Sequence, residues 1–353
     1  MRRLKTESCN VTFIVGLISI TLFLVTACSP ATEEMPQAVD VTVFEGARLI
    51  VGDGSEPIED AAFIVQDGRF IEVGPRGQVD APAGAERVDL TGKTVMPAIV
   101  DAHKHAAGDR EALVDQLQRM AYYGLGVAMS LGTDDGDLAL QVREETIPNA
   151  TRLRTAGRGI TAPEPGRGEV PYWVTSEDEA RTAVQELAER QVDMVKIWVD
   201  DRSGRYEKLS PSLYGAVIDE AHMHNLRVTA HIFALEDAKG LLQAGVDAFA
   251  HSVRDMDIDD EFVELVLERP YLFLVPNLPG RGVVDDMSWL SETLPPEEVE
   301  RLQASATDRP EAQEGFGIQA RNLARLNAEG MRIAFGTDGG TPWAAHVEME
   351  DMV

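Results

Sequence analysis

Residues 95–105 read VMPAIVDAHKH, a short apolar run that ends in Asp101, His103 and His105. In a β-strand successive side chains alternate between the two faces, so His103 and His105 point the same way and Lys104 points the opposite way. Two imidazoles on one face can bind a divalent metal such as zinc. A strand end with two solvated histidines is equally compatible with this segment alone, so the rest of the chain decides.

The remainder of the chain alternates short apolar segments with amphipathic helices. Eight strands are predicted, at residues 95–101, 127–130, 152–157, 193–199, 227–231, 247–251, 272–276 and 332–337. Such alternation requires a parallel sheet covered by helices, and eight units predict an α/β protein with a (β/α)8 TIM-like barrel over residues 95–353. An eighth helix has barely begun after Asp338, so we expect the barrel to be truncated at the C-terminus.

A different pattern precedes this series. Residues 41–94 contain short apolar runs separated by turn residues, and two of them flank Asp67-Gly68. An Asp-Gly pair between apolar runs is typical of a tight β-hairpin. We therefore predict a small β-sandwich domain in this region, without a cluster of catalytic residue types.

The first residues have the features of a bacterial export signal. A basic start is followed by an apolar stretch at 11–25, and small residues stand directly before Cys28. This arrangement resembles the lipobox of bacterial lipoproteins. We expect removal of residues 1–27, a lipid on Cys28, a polar tether over 28–40 and, because Ser29 follows, an outer-membrane anchor facing the periplasm. A plain secretory signal or an uncleaved anchor is the alternative.

Composition excludes some partners. The 353 residues carry a formal net charge of −28, and an acidic surface repels phosphate, so we expect no nucleic-acid partner. The two cysteines, Cys9 and Cys28, lie in the signal and at the lipidation site, so no disulfide is expected in the mature chain.

Polar side chains occur at the carboxyl ends of five predicted strands, namely His103, His105, Lys196, His231, His251 and Asp338. A barrel keeps its active site at these ends. Lys196 lies within DMVKIWV, where an ammonium is costly to bury, whereas a lysine carbamylated by CO2 is an anionic two-oxygen ligand able to bridge two cations. Each residue alone has an ordinary structural interpretation, but together they predict a metal site.

These residues resemble the amidohydrolase superfamily, which has HxH after strand 1, Lys on strand 4, His on strands 5 and 6, and Asp on strand 8. The segments VDMVKI, VTAH, GVDAFAHS and AFGTDGGTP are most similar to its imidazolonepropionase-related and Xaa-Pro dipeptidase-like branch. The resemblance runs from about Val41 to the end. Family members continue with a final helix and a returning β-segment, so we expect the small domain to be incomplete as well.

The resemblance implies two divalent metal ions, with zinc as the expected metal. The resemblance implies that the first metal is bound by His103, His105 and Asp338. It implies that the second is bound by His231 and His251, and that carbamylated Lys196 bridges the two. A metal-bridged hydroxide would attack the substrate, and Asp338 would act as general base and acid. The expected reaction is hydrolysis of an amide or other C–N bond in a peptide-like or cyclic amide, with dipeptidase activity included.

Two alternatives stay open. The same site could hydrolyse a phosphotriester or a lactone, or the chain could be a non-catalytic, truncated surface lipoprotein. Mononuclear deaminase chemistry is disfavoured because it gives Lys196 no role.

Loops after the strands supply candidate substrate-binding residues, namely Arg202, Tyr206, Arg254, Asn277 and His346. Each is as well explained as a solvated loop residue. A second HxH, His222 and His224, is predicted to lie on the surface, because positions i and i+2 of a helix do not share a face. A small molecule or dipeptide is the expected partner, and a homo-oligomer is left open.

Overall fold

The computed structural model describes residues 41–278 and 280–352. The predicted signal peptide, Cys28 and the tether lie outside the described residues. The chain divides into two compact units between Met96 and Pro97.

The first unit is a five-stranded sheet. Its strands are β1 (Val41–Leu49), β2 (Ile58–Gln66), β3 (Arg69–Pro75), β4 (Glu86–Asp89) and β5 (Thr94–Val95), in the order β3-β2-β1-β4 with β5 also on β1. The predicted hairpin is confirmed, since β2 and β3 pair antiparallel across Asp67-Gly68. Both turn residues have positive φ, +51° and +70°, which is the geometry that favours Asp-Gly.

The second unit contains ten strands. They are β6 (Ile99–Lys104), β7 (Leu125–Ser130), β8 (Arg152–Thr155), β9 (Ile160–Thr161), β10 (Tyr172–Trp173), β11 (Val195–Trp198), β12 (Val228–His231), β13 (Ala248–Ala250), β14 (Phe273–Val275) and β15 (Arg332–Ile333). All eight predicted strands are present. The sequence predicts a Pro/Gly-rich loop over residues 161–172, and the additional short strands β9 and β10 pair at the two ends of this loop, where Tyr172 N–H donates to the Gly159 carbonyl at 2.8 Å.

Helices separate these strands. They are α1 (Arg110–Tyr122), α2 (Leu138–Arg143), α3 (Glu177–Glu189), α4 (Pro211–Met223), α5 (Leu235–Ala244), α6 (Asp260–Leu267), α7 (Pro296–Ser305), α8 (Pro310–Ala328) and α9 (Ala344–Met352), with a 3-10 helix at Ser288–Glu292. Helix α3 shows why they form: Ser176 Oγ accepts from Glu179 N–H at 3.2 Å at its start, and a buried apolar stripe with helical spacing faces the core.

Every strand pairing in this unit is parallel, in the sheets β6-β7-β8 and β10-β9-β11-β12-β13-β14-β15. The predicted α/β class is therefore confirmed. Backbone hydrogen bonds join the two sheets on both sides, from Asp193 N–H to Thr155 O at 2.9 Å and from Ala102 N–H to Phe335 O at 2.9 Å. The carboxyl ends of the strands consequently meet at one edge.

None of the helices in the described part of the chain has the length and apolarity to cross a bilayer.

Candidate metal centre

One carboxylate lies among three imidazoles at the carboxyl ends of the strands. Asp338 Oδ1 is 2.9 Å from His105 Nε2 and 3.5 Å from His103 Nε2, and Asp338 Oδ2 is 3.6 Å from His251 Nε2. Ligand atoms of His103, His105 and Asp338 all lie within 4.8 Å of one another. The spacing matches a group that could hold a metal ion.

The imidazoles continue as a row. The ring centroids of His103 and His251 are 5.0 Å apart, and those of His251 and His231 are 4.5 Å apart. His231 therefore adjoins the cluster through His251. The structure brings together the four histidines and the aspartate that the sequence singled out.

Burial sets the protonation states of this cluster. It lowers the pKa of His103, His231 and His251 well below the usual 6.5, and neighbouring positive charges lower it further. Burial alone would raise the pKa of Asp338, but the hydrogen bond from His105 and the nearby histidines outweigh it and lower the pKa below 3.8. Neutral imidazoles and an ionised carboxylate are the forms that bind metals.

Lys196 lies beside the cluster on β11 and is fully buried. Its Nζ has no hydrogen-bond partner among the described residues. Burial lowers the pKa of Lys196 to about 7. A substantial share of the amine is therefore neutral at neutral pH, and a neutral amine is nucleophilic.

Further side chains orient the histidines from behind. Asn277 Oδ1 lies 2.6 Å from His103 Nδ1, and Thr133 Oγ1 lies 2.8 Å from His105 Nδ1. Such contacts fix the tautomer and the ring orientation of a metal-ligating histidine. Asn277, predicted to bind substrate, thus contacts His103, and sequence reasoning missed Thr133 because nothing in its local sequence marks it.

His231 has a strongly charged environment. Its Nε2 lies 3.0 Å from Asp200 Oδ2, 3.1 Å from an Arg202 guanidinium nitrogen and 3.3 Å from one of Arg254. Arg202 also donates to Asp200 at 2.7 Å and to Glu164 at 3.0 Å. Arg202 and Arg254 therefore lie beside the cluster, and Asp200 and Glu164 join them although the sequence did not single them out.

Two other candidates lie elsewhere. Tyr206 donates its hydroxyl to the Pro165 carbonyl at 3.2 Å, so it braces a neighbouring loop. His346 Nε2 lies 3.1 Å from the Tyr123 carbonyl, and its ring packs against Trp289, so it does not join the histidine row.

The second HxH lies on the surface, as the sequence predicts. His222 and His224 are exposed at the end of α4, where they contact Asp247 and Glu220 at 2.9 and 3.3 Å. Lys104 is buried and donates to the carbonyl of Gly339, the residue after Asp338.

The backbone at the cluster is unusual. His251, Asn277, Asp338 and Arg202 have positive φ values of +70°, +44°, +48° and +54°. A non-glycine residue in this region costs about 1–3 kcal/mol, and such residues concentrate at functional sites. The strain sets the side-chain directions at three strand ends.

Comparison with known proteins gives the class. The model of the amidohydrolase family matches residues 94–353. An uncharacterized protein of Mycobacterium tuberculosis is 31% identical over 215 residues, which is 56% of this chain and 55% of that protein. The imidazolonepropionase of Saccharopolyspora erythraea is 34% identical over 157 residues, 42% of this chain and 38% of the enzyme.

Among solved structures, a Bifidobacterium longum protein assigned as a prolidase superposes with a TM-score of 0.72 and 25% identity, over 89% of this chain and 78% of that one. The chain belongs to the amidohydrolase family. The resemblance inferred from the strand-end residues is thereby confirmed. The chain spans about half the length of the Mycobacterium relative that it matches.

Proposed function

We propose that this protein is a metal-dependent amidohydrolase whose parallel strands close into a (β/α)8 barrel. The observation that carries the proposal is the position of Asp338, which lies within 3.6 Å of three imidazoles beside an unpartnered, buried Lys196. The backbone bonds from Ala102 to Phe335 and from Asp193 to Thr155 support closure of the barrel.

The side chains present fit a pair of divalent ions, with zinc as the expected metal. His103, His105 and Asp338 would hold one ion, and His231 and His251 the other. The free Nζ of Lys196 is suited to carbamylation: the neutral amine adds to CO2, a proton leaves, and an anionic carbamate remains. The carbamate would supply one oxygen to each ion.

Residues of the chain would accept the proton of the attacking water and deliver it to the leaving group. Two bound ions supply Lewis acidity that polarises the scissile carbonyl and lowers the pKa of a water molecule. Asp338, ionised at neutral pH, accepts a proton from the attacking water and delivers it to the leaving nitrogen. Asn277 and Thr133 keep His103 and His105 oriented during this exchange.

The proposed substrates are peptide-like or cyclic amides, in keeping with relatives named imidazolonepropionase and prolidase. The test combines metal analysis with a substrate panel of dipeptides and cyclic amides set against paraoxon and lactones. We expect about two metals per chain and hydrolysis of amides. Preferential hydrolysis of paraoxon or lactones would show that the enzyme is a phosphotriesterase or lactonase rather than an amidase. A metal-free, inactive protein would contradict the proposal.

We also propose that the protein is anchored through lipid on Cys28 to the bacterial outer membrane and faces the periplasm. The lipobox-like sequence before Cys28 supports this location. In cells labelled with palmitate, the wild-type chain should carry the label and sediment with membranes, whereas Cys28→Ser should lose the label. Equal labelling of both chains would contradict the anchor.

A further inference from the structure

A cavity of about 420 Å³ opens beside the histidine cluster. Its lining includes His105, Thr133, Glu164, Val170, Pro171 and Trp198. His105 belongs to both the cluster and the cavity wall, so a group held in the cavity lies next to the proposed reaction centre. The size falls within the range of small-molecule pockets in proteins.

Trp198 forms a fixed wall of this cavity. On β11, Lys196 and Trp198 point to the same face, and Lys196 Nζ lies 5.3 Å from the Trp198 ring centroid. Two glycines give the indole room, because a Cβ at Gly132 would lie 2.5 Å from Trp198 Cη2 and one at Gly159 would lie 2.1 Å from Cζ3. The indole is therefore held between Lys196 and the cavity.

The charges that line the cavity are neutralised in place. Glu164, only 3% exposed, accepts from Arg167 at 2.6 Å and from Arg202 at 3.0 Å. Arg202 is in turn paired with Asp200. A charged ligand group would have to compete with these ion pairs, whereas an uncharged group need only cover the apolar surface.

The opposite wall is braced before any ligand arrives. Arg158 Nε donates to the Val170 carbonyl, and its guanidinium carbon lies 4.0 Å from the Tyr172 ring centroid. Tyr206 holds the same loop through the Pro165 carbonyl. A preformed wall lowers the entropy cost of binding and makes the pocket selective for shape.

We propose that this cavity is the specificity pocket of the enzyme and takes an uncharged, bulky ring group of the amide substrate, with Trp198 as its stacking surface. The inference rests on the proposed function, because it places the ring next to the scissile bond. An aromatic ring stacked on indole gains more than its buried area alone provides. Trp198 is then the residue that determines specificity, although it takes no part in the proton transfers.

The experiment uses the metal-loaded full chain and four dipeptides, Phe-Ala, Ala-Phe, Ala-Ala and Ala-Glu. We expect one ring-bearing dipeptide to exceed Ala-Ala in kcat/KM by about tenfold to a hundredfold, and this ratio measures the ring preference. Ala-Glu should have a lower kcat/KM than that dipeptide and than Ala-Ala. Trp198→Ala should bring that ratio close to one, because the indole on which the ring stacks is removed. Trp289→Ala removes a tryptophan outside the cavity and should keep the wild-type ratio.

Because Trp198 packs on Lys196, Val170→Asp tests the pocket from the other wall. This variant should also lower the ring preference with its metal retained. An unchanged kcat/KM ratio between the ring-bearing dipeptide and Ala-Ala in Val170→Asp would contradict the proposed specificity pocket. A preference of the wild type for Ala-Glu or Ala-Ala would also contradict it.

A readout without turnover separates the two proposals. If the wild-type holoenzyme hydrolyses none of the dipeptides, the proposed function fails, and calorimetry with N-acetylphenylalaninamide still tests the cavity. We expect the wild type to bind this ligand and Val170→Asp to bind it at least about tenfold more weakly. Absence of binding, or equal binding by the two proteins, would contradict the proposed specificity pocket without bearing on the proposed hydrolytic function.

Discussion

The two ends of the histidine row differ in their surroundings. On the first side, the carboxylate of Asp338 lies 2.9 Å from His105 Nε2 and 3.5 Å from His103 Nε2. On the second side, His231 Nε2 lies within 3.3 Å of a carboxylate and of two guanidinium groups. The first side thus attracts a cation as it is, whereas a cation at His231 must displace like charges. We expect the first side to bind metal more tightly than the second.

The largest effect is expected from Asp338→Asn. An amide neither accepts a proton from water nor returns it to the leaving nitrogen, so kcat should fall by about 10²-fold to 10⁴-fold. Most of the metal should remain, since the histidines on both sides are intact. Steady-state kinetics and elemental analysis measure both quantities. Asp53→Asn, on the exposed surface of the first unit, is the matched control, and an active Asp338→Asn enzyme would remove Asp338 from its proposed role.

Lys196→Met tests whether the two sides share a ligand. Without the carbamate the second side loses its bridge, so metal content should drop from about two to about one per chain and activity should fall by about tenfold or more. The first side should keep its ion. Lys239→Met, which removes a lysine paired with Asp259 and Glu261, serves as control. Two metals retained in Lys196→Met would contradict the bridge.

Asn277→Ala and Thr133→Val compare the supports of the two histidines on the first side. Loss of such a support weakens metal affinity by about 10-fold to 100-fold. The His103 side chain is 2% exposed and the His105 side chain 37%, so water can replace Thr133 more readily than Asn277. Chelator competition should therefore show the larger loss in Asn277→Ala. Equal losses of metal affinity in the two variants would show that the burial of the supported histidine does not determine how much its support contributes.

The sequence predicted the strand ends well because each proposed ligand follows its own apolar run. Alternation along 95–105 was sufficient to place His103 and His105 on one face. The partners of these ligands were not predictable in the same way. Asn277 reaches His103, and Thr133 reaches His105, across loops from other strands, and such contacts depend on tertiary geometry rather than on local pattern.

Charge and backbone explain the other differences. Asp200 and Glu164 look like ordinary loop acids in the sequence. In the structure Asp200 contacts His231 directly, and Glu164 is linked to it only through Arg202. Loop 161–172 acquires the short strands β9 and β10 because its ends meet neighbouring backbone groups. His346 was a candidate because it follows the eighth predicted strand, whereas α9 carries it to Tyr123.

The smallest expected effect is a pH dependence of stability that arises outside the histidine row. Burial raises the pKa of Glu348 on α9 to about 8, against the hydrogen bond from Leu278 N–H. Between the unfolded value of 4.5 and about 8 the folded protein binds more protons, so the free energy of unfolding falls as pH rises through this window.

Glu348→Gln should remove this fall and raise stability at pH 8 by on the order of 2 kcal/mol, because the amide oxygen can still accept from Leu278. Urea unfolding at pH 5 and pH 8, with metal held constant, measures it. An unchanged slope in the variant would assign the pH dependence to another group.

The contact between β6 and the segment after β15 has a consequence for how the site comes into being. Asp101 accepts hydrogen bonds from Thr337, a residue 236 positions later, and Asp338 N–H donates to the His103 carbonyl. Loop closure over such a separation is entropically costly, and it cannot occur until the segment that carries Thr337 and Asp338 has been synthesised. The proposed cation site therefore needs both segments in place, so a chain that lacks the later segment, or is unfolded, cannot bind an ion there with full affinity.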